Sequence, residues 1–277
     1  MISKSHIEDY ISDRILLRAE DFLYVLPHEL LRSYIANYTI TFPNKNMISE
    51  NYTIIPSGGA TIVFSFNGNE IQDTLFGATT KTHIVGKKAN CSQCLLIIEF
   101  HPYGLRHFIK TQQSELTNLL VPLSIVDPLL YQRTYCIFEQ AQNVYELISA
   151  LDNFFLEHSG RQTIKSELAL AVDEIVHRGE NITVRELSNQ VYYSERHLNR
   201  IFCDSIGMNV KSFTRLVRIN KAIRMLKKPQ FSMTQVALQA GFYDQSHFIH
   251  EFMSICNTTP MEYLKNVSDY YNEICKF

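Results

Sequence analysis

The chain has 277 residues, 45% of them hydrophobic and 19% charged, with six Cys and a formal net charge of −2. That length suggests about two domains at ~100–200 residues each, and the composition is that of a folded globular protein, which excludes a disordered chain. Six Cys in so long a chain exclude a disulfide-stapled scaffold, and no apolar run reaches the ~18 residues of a membrane span.

The first residues, MISKSHIEDYISDRILL, scatter charges through their apolar positions, unlike a secretory leader, so a reduced cytoplasm is the expected compartment. Residues 1–22 read as a polar-to-amphipathic lead-in. From Tyr34 to Phe100 the pattern is strand-like, in the runs Tyr38–Phe42, Tyr52–Ile55, Ala60–Phe66 and Cys94–Phe100. These runs are rich in β-branched and aromatic residues, with turn signals between them at Pro43-Asn44, Pro56–Gly59, Asn67–Asn69 and Gly86. Several short strands at this spacing predict a β-sandwich or barrel, cupin-like in outline.

Beyond Pro102 the period changes. Gly104–Ile109 reads as a short helix, and about 127–158 as helices whose apolar residues Ile137, Val144, Leu147, Ile148, Leu151, Phe154 and Phe155 recur at three or four. Such helices cover the β domain, form a dimer seam, or do both, and a hydrophobic pocket between sheet and helices is the default effector site. Ser159-Gly160 opens a linker. The expected division is therefore α+β in two domains: a β-rich sensing or dimerisation domain over 1–160, then an all-helical domain over 161–277.

The two parts carry opposite charge. Residues 1–160 hold 11 Lys and Arg against 16 Asp and Glu, a balance of −5, and residues 161–277 hold 15 against 12, or +3. Within 185–228 the count is 10 basic against 3 acidic. A local excess of that size points to an anionic partner, most commonly nucleic acid.

The same region contains an internal repeat. Thr183–Val191 superposes on Ser232–Ala240, and each begins with a capping box, Thr183 with Glu186 and Ser232 with Gln235. Leu187 or Val236 turns inward, a tight turn follows at Tyr192-Tyr193 or Gly241-Phe242-Tyr243, and Ser194 or Asp244 caps a second helix. In those second helices His197 matches His247, Leu198 matches Phe248, and Phe202 matches Phe252. Two short helices joined by a tight turn, the second displaying polar residues, form a helix-turn-helix whose second helix reads base edges. Two copies in register, about 183–202 and 232–252, are far more specific than one. Between them Asn209–Leu226 predicts a helix with Phe213, Val217, Ile223 and Leu226 buried and Lys211, Arg215, Arg218, Lys221 and Arg224 charged outside. It would be a strut of about 27 Å, close to the ~34 Å between successive major-groove faces.

Residues from about 168 to 266, above all Gly241-Phe-Tyr-Asp-Gln-Ser-His-Phe248, Phe252 and Thr258–Tyr263, resemble the DNA-binding domain of the AraC/XylS family. The resemblance implies an all-helical domain and a bacterial transcription factor, expected to be an activator, with double-stranded DNA and RNA polymerase as partners. It places the base-contacting positions on Arg196, Asn199 and Arg200 in the first unit and on Gln245, Ser246, Ile249 and His250 in the second. Arg185, Lys211 and Arg215 are the candidates for phosphate contact. His250 and Ile249 depart from the family pattern, as does Ser254–Asn257, so the second unit is expected to read bases more weakly.

Residues 23–125 resemble a β domain of unknown function that precedes such DNA-binding domains, through Tyr52–Gly59, Ile98–Leu105 and Leu116–Pro122. This implies a small-molecule effector or partner at the N-terminal domain and a homodimer. Cys91-Ser-Gln-Cys94 reads as loop and strand in preference to a metal or redox site, and His83, Glu99, His101 and His107 as a weak cupin-like metal set. No enzyme, cofactor, metal or membrane partner is expected. Two competing functions remain: a DNA-repair methyltransferase carrying an AraC-type module, which needs an activated Cys, and a module that no longer binds DNA and sequesters another regulator.

Overall fold

The computed structural model describes residues 2–44, 53–84, 90–160, 165–179 and 182–266. Residues Tyr52 and Gly86, and most of the linker after Gly160, lie outside the described residues.

Among the described residues, nine strands lie in the first part of the chain: β1 Ile15–Arg18, β2 Phe22–Val25, β3 Ile35–Thr41, β4 Thr53–Ile54, β5 Thr61–Phe66, β6 Ile71–Phe76, β7 His83–Ile84, β8 Cys94–Phe100 and β9 Leu120–Val121. Seven of them form an antiparallel sheet in the order β1-β2-β3-β8-β5-β6-β9, and β4 pairs with β7 in a two-stranded ribbon. The strands start earlier than Tyr34: β1 lies within the stretch that reads as a lead-in, and β2 begins at its last residue. Arg14, just before β1, donates to Leu26 O and pairs with Asp152 at 2.7 Å, a residue that also accepts from His28 N–H and the Tyr38 hydroxyl. This group docks the N-terminal strands against a helix more than a hundred residues away. Burial, then the Asp152 charge, pushes the Tyr38 phenol well above its ordinary range.

Short helices α1 Ser5–Asp9, α2 Gly104–Phe108, α3 Gln113–Leu116 and α4 Leu123–Val126 punctuate the sheet, and α5 Pro128–Gln140 and α6 Val144–Glu157 follow it. Helix α5 starts at a capping Asp127 with Pro128 in its first turn, and α6 at a capping Asn143. Val144, Leu147, Ile148, Leu151, Phe154 and Phe155 of α6 are buried with Leu23, Tyr38, Ile62, Phe64, Leu96 and Ile98, alternate residues from one face of the sheet. The α5–α6 pair therefore covers the sheet. Rings pack in the layer between, with Phe155 against Phe108 at 4.9 Å and Phe64 against Phe138 at 6.2 Å.

Among the described residues beyond α6, the elements are helices: α7 Ser166–Arg178, α8 Val184–Gln190, α9 Glu195–Ile206, α10 Val210–Leu226, α11 Met233–Gln239, α12 Gln245–Cys256 and α13 Pro260–Asn266. They share a second core that also takes in Ile55 and Ala78 from the β-rich part. No helix among the described residues is long and apolar enough to cross a membrane.

Cys94 faces the sheet core, and burial pushes its thiol up to about 12. Among the described residues no three His, Cys, Asp or Glu gather as a metal set. His107 stacks on Tyr34 at 3.8 Å, lies 2.9 Å from the Ser159 hydroxyl and accepts from Gly160 N–H. Glu99 accepts from Asn37, and His83 packs on the Phe76 ring.

Candidate nucleic-acid interface

Each repeat copy is set by its caps. Thr183 and Glu186 exchange side-chain-to-backbone bonds at the start of α8, and Ser232 and Gln235 do the same at α11. The Thr183 N–H bond holds the Glu186 carboxyl below its ordinary range. Ser194 and Asp244 accept from the His197 and His247 N–H groups and start α9 and α12.

The turns close identically. Tyr193 N–H donates to Ser188 O at 2.9 Å and Phe242 N–H to Ala237 O at 2.8 Å. The residue before each donor is left-handed, Gly241 at φ 92° and Tyr192 at φ 56°. The turn thus demands a conformation that glycine adopts freely and tyrosine only at a cost. Tyr243 is then the extra residue of the second copy. Tyr192 and Tyr243 are 94% and 87% exposed, so packing does not account for either ring.

Leu198 and Phe202 in α9, and Phe248 and Phe252 in α12, are fully buried. This fixes the outward faces. In the first unit Arg196 and Arg200 are exposed. Arg200 bonds His197 at 3.2 Å, and the His197 ring packs edge-on against Tyr193 at 4.6 Å. Asn199 is half-buried and works inside the protein: its Nδ2 donates to Glu195 O and its Oδ1 accepts from Val210 N–H, the first residue of α10. In the second unit Ser246 and His250 are exposed, Gln245 is half-buried and accepts from the Thr234 hydroxyl, and Ile249 packs partly into the core. Among the phosphate candidates Arg185 and Lys211 are exposed, whereas Arg215 reaches Glu251 at 3.3 Å and Ser254 Oγ at 3.0 Å.

The strut α10 has 17 residues, or about 26 Å. It is more enclosed than its charge pattern suggests, for Leu216 to Asn220 are all buried. Arg218, placed by sequence on the charged outside, lies inside. One of its Nη atoms donates to both oxygens of Glu251 at 2.6 and 2.5 Å, and its guanidinium sits 4.5 Å above the Phe242 ring. Arg215 and His247 also face Glu251, which is 8% exposed. Burial pushes the Glu251 carboxyl up, but the Arg218 hydrogen bonds and the Arg218 and Arg215 charges outweigh it and hold the group below its ordinary range. The second helix-turn-helix is thereby pinned to the strut by a buried ion pair. The sequence signal for it was available: Glu251 occupies the inward position that Ile201 fills in the first copy.

Residues 187–266 match a family described as a helix-turn-helix domain, and residues 24–122 match a domain of unknown function, DUF6597. Over 105 residues the chain is 29% identical to "Probable transcription factor PqrA" of Proteus vulgaris, covering 38% of this chain and 86% of that protein. An uncharacterized HTH-type transcriptional regulator of Staphylococcus aureus is 31% identical over 108 residues, which is 14% of its length. A crystal structure of an AraC-type transcriptional regulator from Chromobacterium violaceum is 27% identical, covers 35% of this chain and 87% of that one, and superposes with a TM-score of 0.33.

Proposed function

We propose, from the premise that residues 187–266 are an AraC-type helix-turn-helix domain, that this protein is a cytoplasmic, sequence-specific transcription regulator. It acts as an activator and is gated by a ligand or partner at its N-terminal domain. Residues 161–277 form the DNA-binding domain and residues 1–160 the sensing and dimerising one. RNA polymerase and a second copy of the chain are its protein partners, and the chain has no catalytic role.

The single observation that carries the reading is the exposed Arg196–Arg200 face on a helix whose opposite stripe is buried, repeated in register by α12. Arginine is suited to bidentate contact with guanine O6 and N7. Arg196 and Arg200 therefore carry base reading in the first unit, with Asn199 joining them if it gives up its internal bonds. Gln245, Ser246, Ile249 and His250 form the weaker reading surface of the second. Arg185 and Lys211 contact phosphate, which sets affinity and register without sequence information. Arg215 joins them only by loosening its contact with Glu251.

Gating draws support from the β-rich part. On the sheet face away from α5 and α6, Asn37, Thr39 and Glu99 form a buried polar chain, with Asn37 Nδ2 donating to Glu99 and Thr39 Oγ1 to Asn37 Oδ1, both at 2.8 Å. Nearby, burial lowers the His101 imidazole below its usual range, with the Glu99 charge working against it. A polar effector would find recognition groups here that the ring-filled layer beneath α6 does not offer.

The test is fluorescence anisotropy with a duplex from upstream of its own gene and a scrambled duplex. The expected result is tight binding to the first that weakens steeply from 50 to 200 mM salt. Equal affinity for both duplexes would refute sequence-specific regulation.

A further inference from the structure

The two recognition helices end alike, on residues in the left-handed conformation: Gly207 at φ 91° after α9, and Asn257 at φ 53° after α12. The last carbonyls of a helix lack partners within it. In both copies the β-rich part supplies donors there. The Thr117 hydroxyl lies 2.6 Å from Gly207 O, closer than its other acceptor Gln113 O at 3.0 Å. Thr82 N–H donates to Ile255 O at 3.1 Å, its hydroxyl donates to Cys256 O at 3.2 Å, and Asn257 Nδ2 donates back to that hydroxyl. A Cβ at position 207 would stand 2.4 Å from Thr117 Oγ1, so the approach requires glycine.

These two donors belong to one brace. Asn118, beside Thr117, donates its N–H to Ala78 O, accepts the Thr80 N–H on Oδ1 at 2.9 Å, and donates from Nδ2 to the Thr80 hydroxyl. The same part of the chain also touches the strut between the heads. Asn220 Nδ2 in α10 donates to Pro56 O at 2.8 Å, and Gly58 packs so near Phe213 that a Cβ there would lie 2.9 Å from its ring.

We infer that Thr82 and Thr117 are positioning residues, and that through them the N-terminal domain holds the C-terminal ends of both recognition helices and so fixes the spacing between the two reading heads. The inference rests on the DNA-binding reading above. A clamp at equivalent points of both copies constrains their relative placement, which a contact to one head would not do. The spacing of half-sites on the duplex then reports the clamp directly.

The experiment uses the full chain and a randomised duplex library. Wild type should select two submotifs at one fixed spacing. Thr82→Val/Thr117→Val should select the same submotifs at several spacings and bind the best wild-type duplex about tenfold more weakly, as expected for loss of a few neutral hydrogen bonds. Thr82→Ser/Thr117→Ser should restore both. An unchanged single spacing with unchanged affinity in the valine variant overturns the inference. If that variant does not fold, Thr117→Val alone carries the same readout, since it removes the hydroxyl that donates to Gly207 O and leaves the second head untouched. If wild type selects no sequence, the DNA-binding reading fails by itself, and hydrogen exchange without DNA decides the clamp. Faster exchange at 203–207 and 253–257 in the valine variant supports it, and equal rates overturn it.

Discussion

The two helix-turn-helix copies share their capping boxes, their left-handed turn residue and their buried stripe, and they diverge at one inward position. The first places Ile201 there and joins the core through apolar contact; the second places Glu251 and is held by Arg218, Arg215 and His247. The outward faces differ in the opposite sense. The first head shows Arg196 and Arg200 to solvent, and the second shows Ser246 and His250. Cationic side chains thus face solvent in one copy and make docking contacts in the other. A duplicated unit can keep its fold while placing its charged side chains on opposite sides in its two copies.

The largest expected effect breaks the docking half of this contrast. Glu251→Ala leaves Arg218 buried without its carboxylate and should cost about 3–5 kcal/mol in urea unfolding. Importing the first copy's solution, as Arg218→Leu/Glu251→Ile, should cost far less, a change within about 1.5 kcal/mol of wild type. Equal losses in the two variants would mean that the ion pair does not hold the second head.

Next in size is the reading half. Arg196→Ala and Arg200→Ala should each weaken binding to the preferred duplex by about 1–3 kcal/mol, while His250→Ala should stay within about 0.5 kcal/mol. A larger loss at His250 than at either arginine would invert the assignment of the heads.

A smaller effect sharpens the turn comparison. Tyr192→Gly gives the first copy the residue that the second already has at Gly241, and should raise stability by about 0.5–1 kcal/mol, read as a higher unfolding midpoint. No gain would mean that the left-handed tyrosine is compensated by contacts its exposure does not suggest.

The smallest effect at neutral pH is protonic. Because the folded Glu251 carboxyl is held below its usual 4.5, its pairing contributes stability that is present above that pH and lost as pH falls through the lowered value. Unfolding midpoints from pH 6 to pH 3 should fall more for wild type than for Arg218→Leu/Glu251→Ile. Parallel curves would remove Glu251 from the acid response.

What was legible in the sequence was local. Both capping boxes, both N-caps and the apolar stripes depend on residues three or four apart, so a single chain displays them. The amphipathic run of α6 and the β-branched runs of β3, β5 and β8 were readable for the same reason. The unread parts depend on distant partners. β1 and β2 were hidden by the charges around Arg14 and Arg18, and Arg14 finds its carboxylate in Asp152, 138 residues on. Arg218 looked like surface charge because its partner Glu251 lies on another helix. The resemblance places Asn199 among the base-contacting positions, while its bonds to Glu195 and Val210 arise from how α9 meets α10. Nothing in the spacing of Thr82 and Thr117 announced that they meet the same end of two repeated helices.

Hydroxyl-radical footprinting of the full chain on its preferred duplex tests the central claim most directly. Two reading heads joined by a strut of about 26 Å should protect two patches on one face of the DNA, centred ~10–10.5 base pairs apart, with the patch under α9 lost first when Arg196 and Arg200 are replaced. A single continuous patch, or two patches on opposite faces, would contradict it.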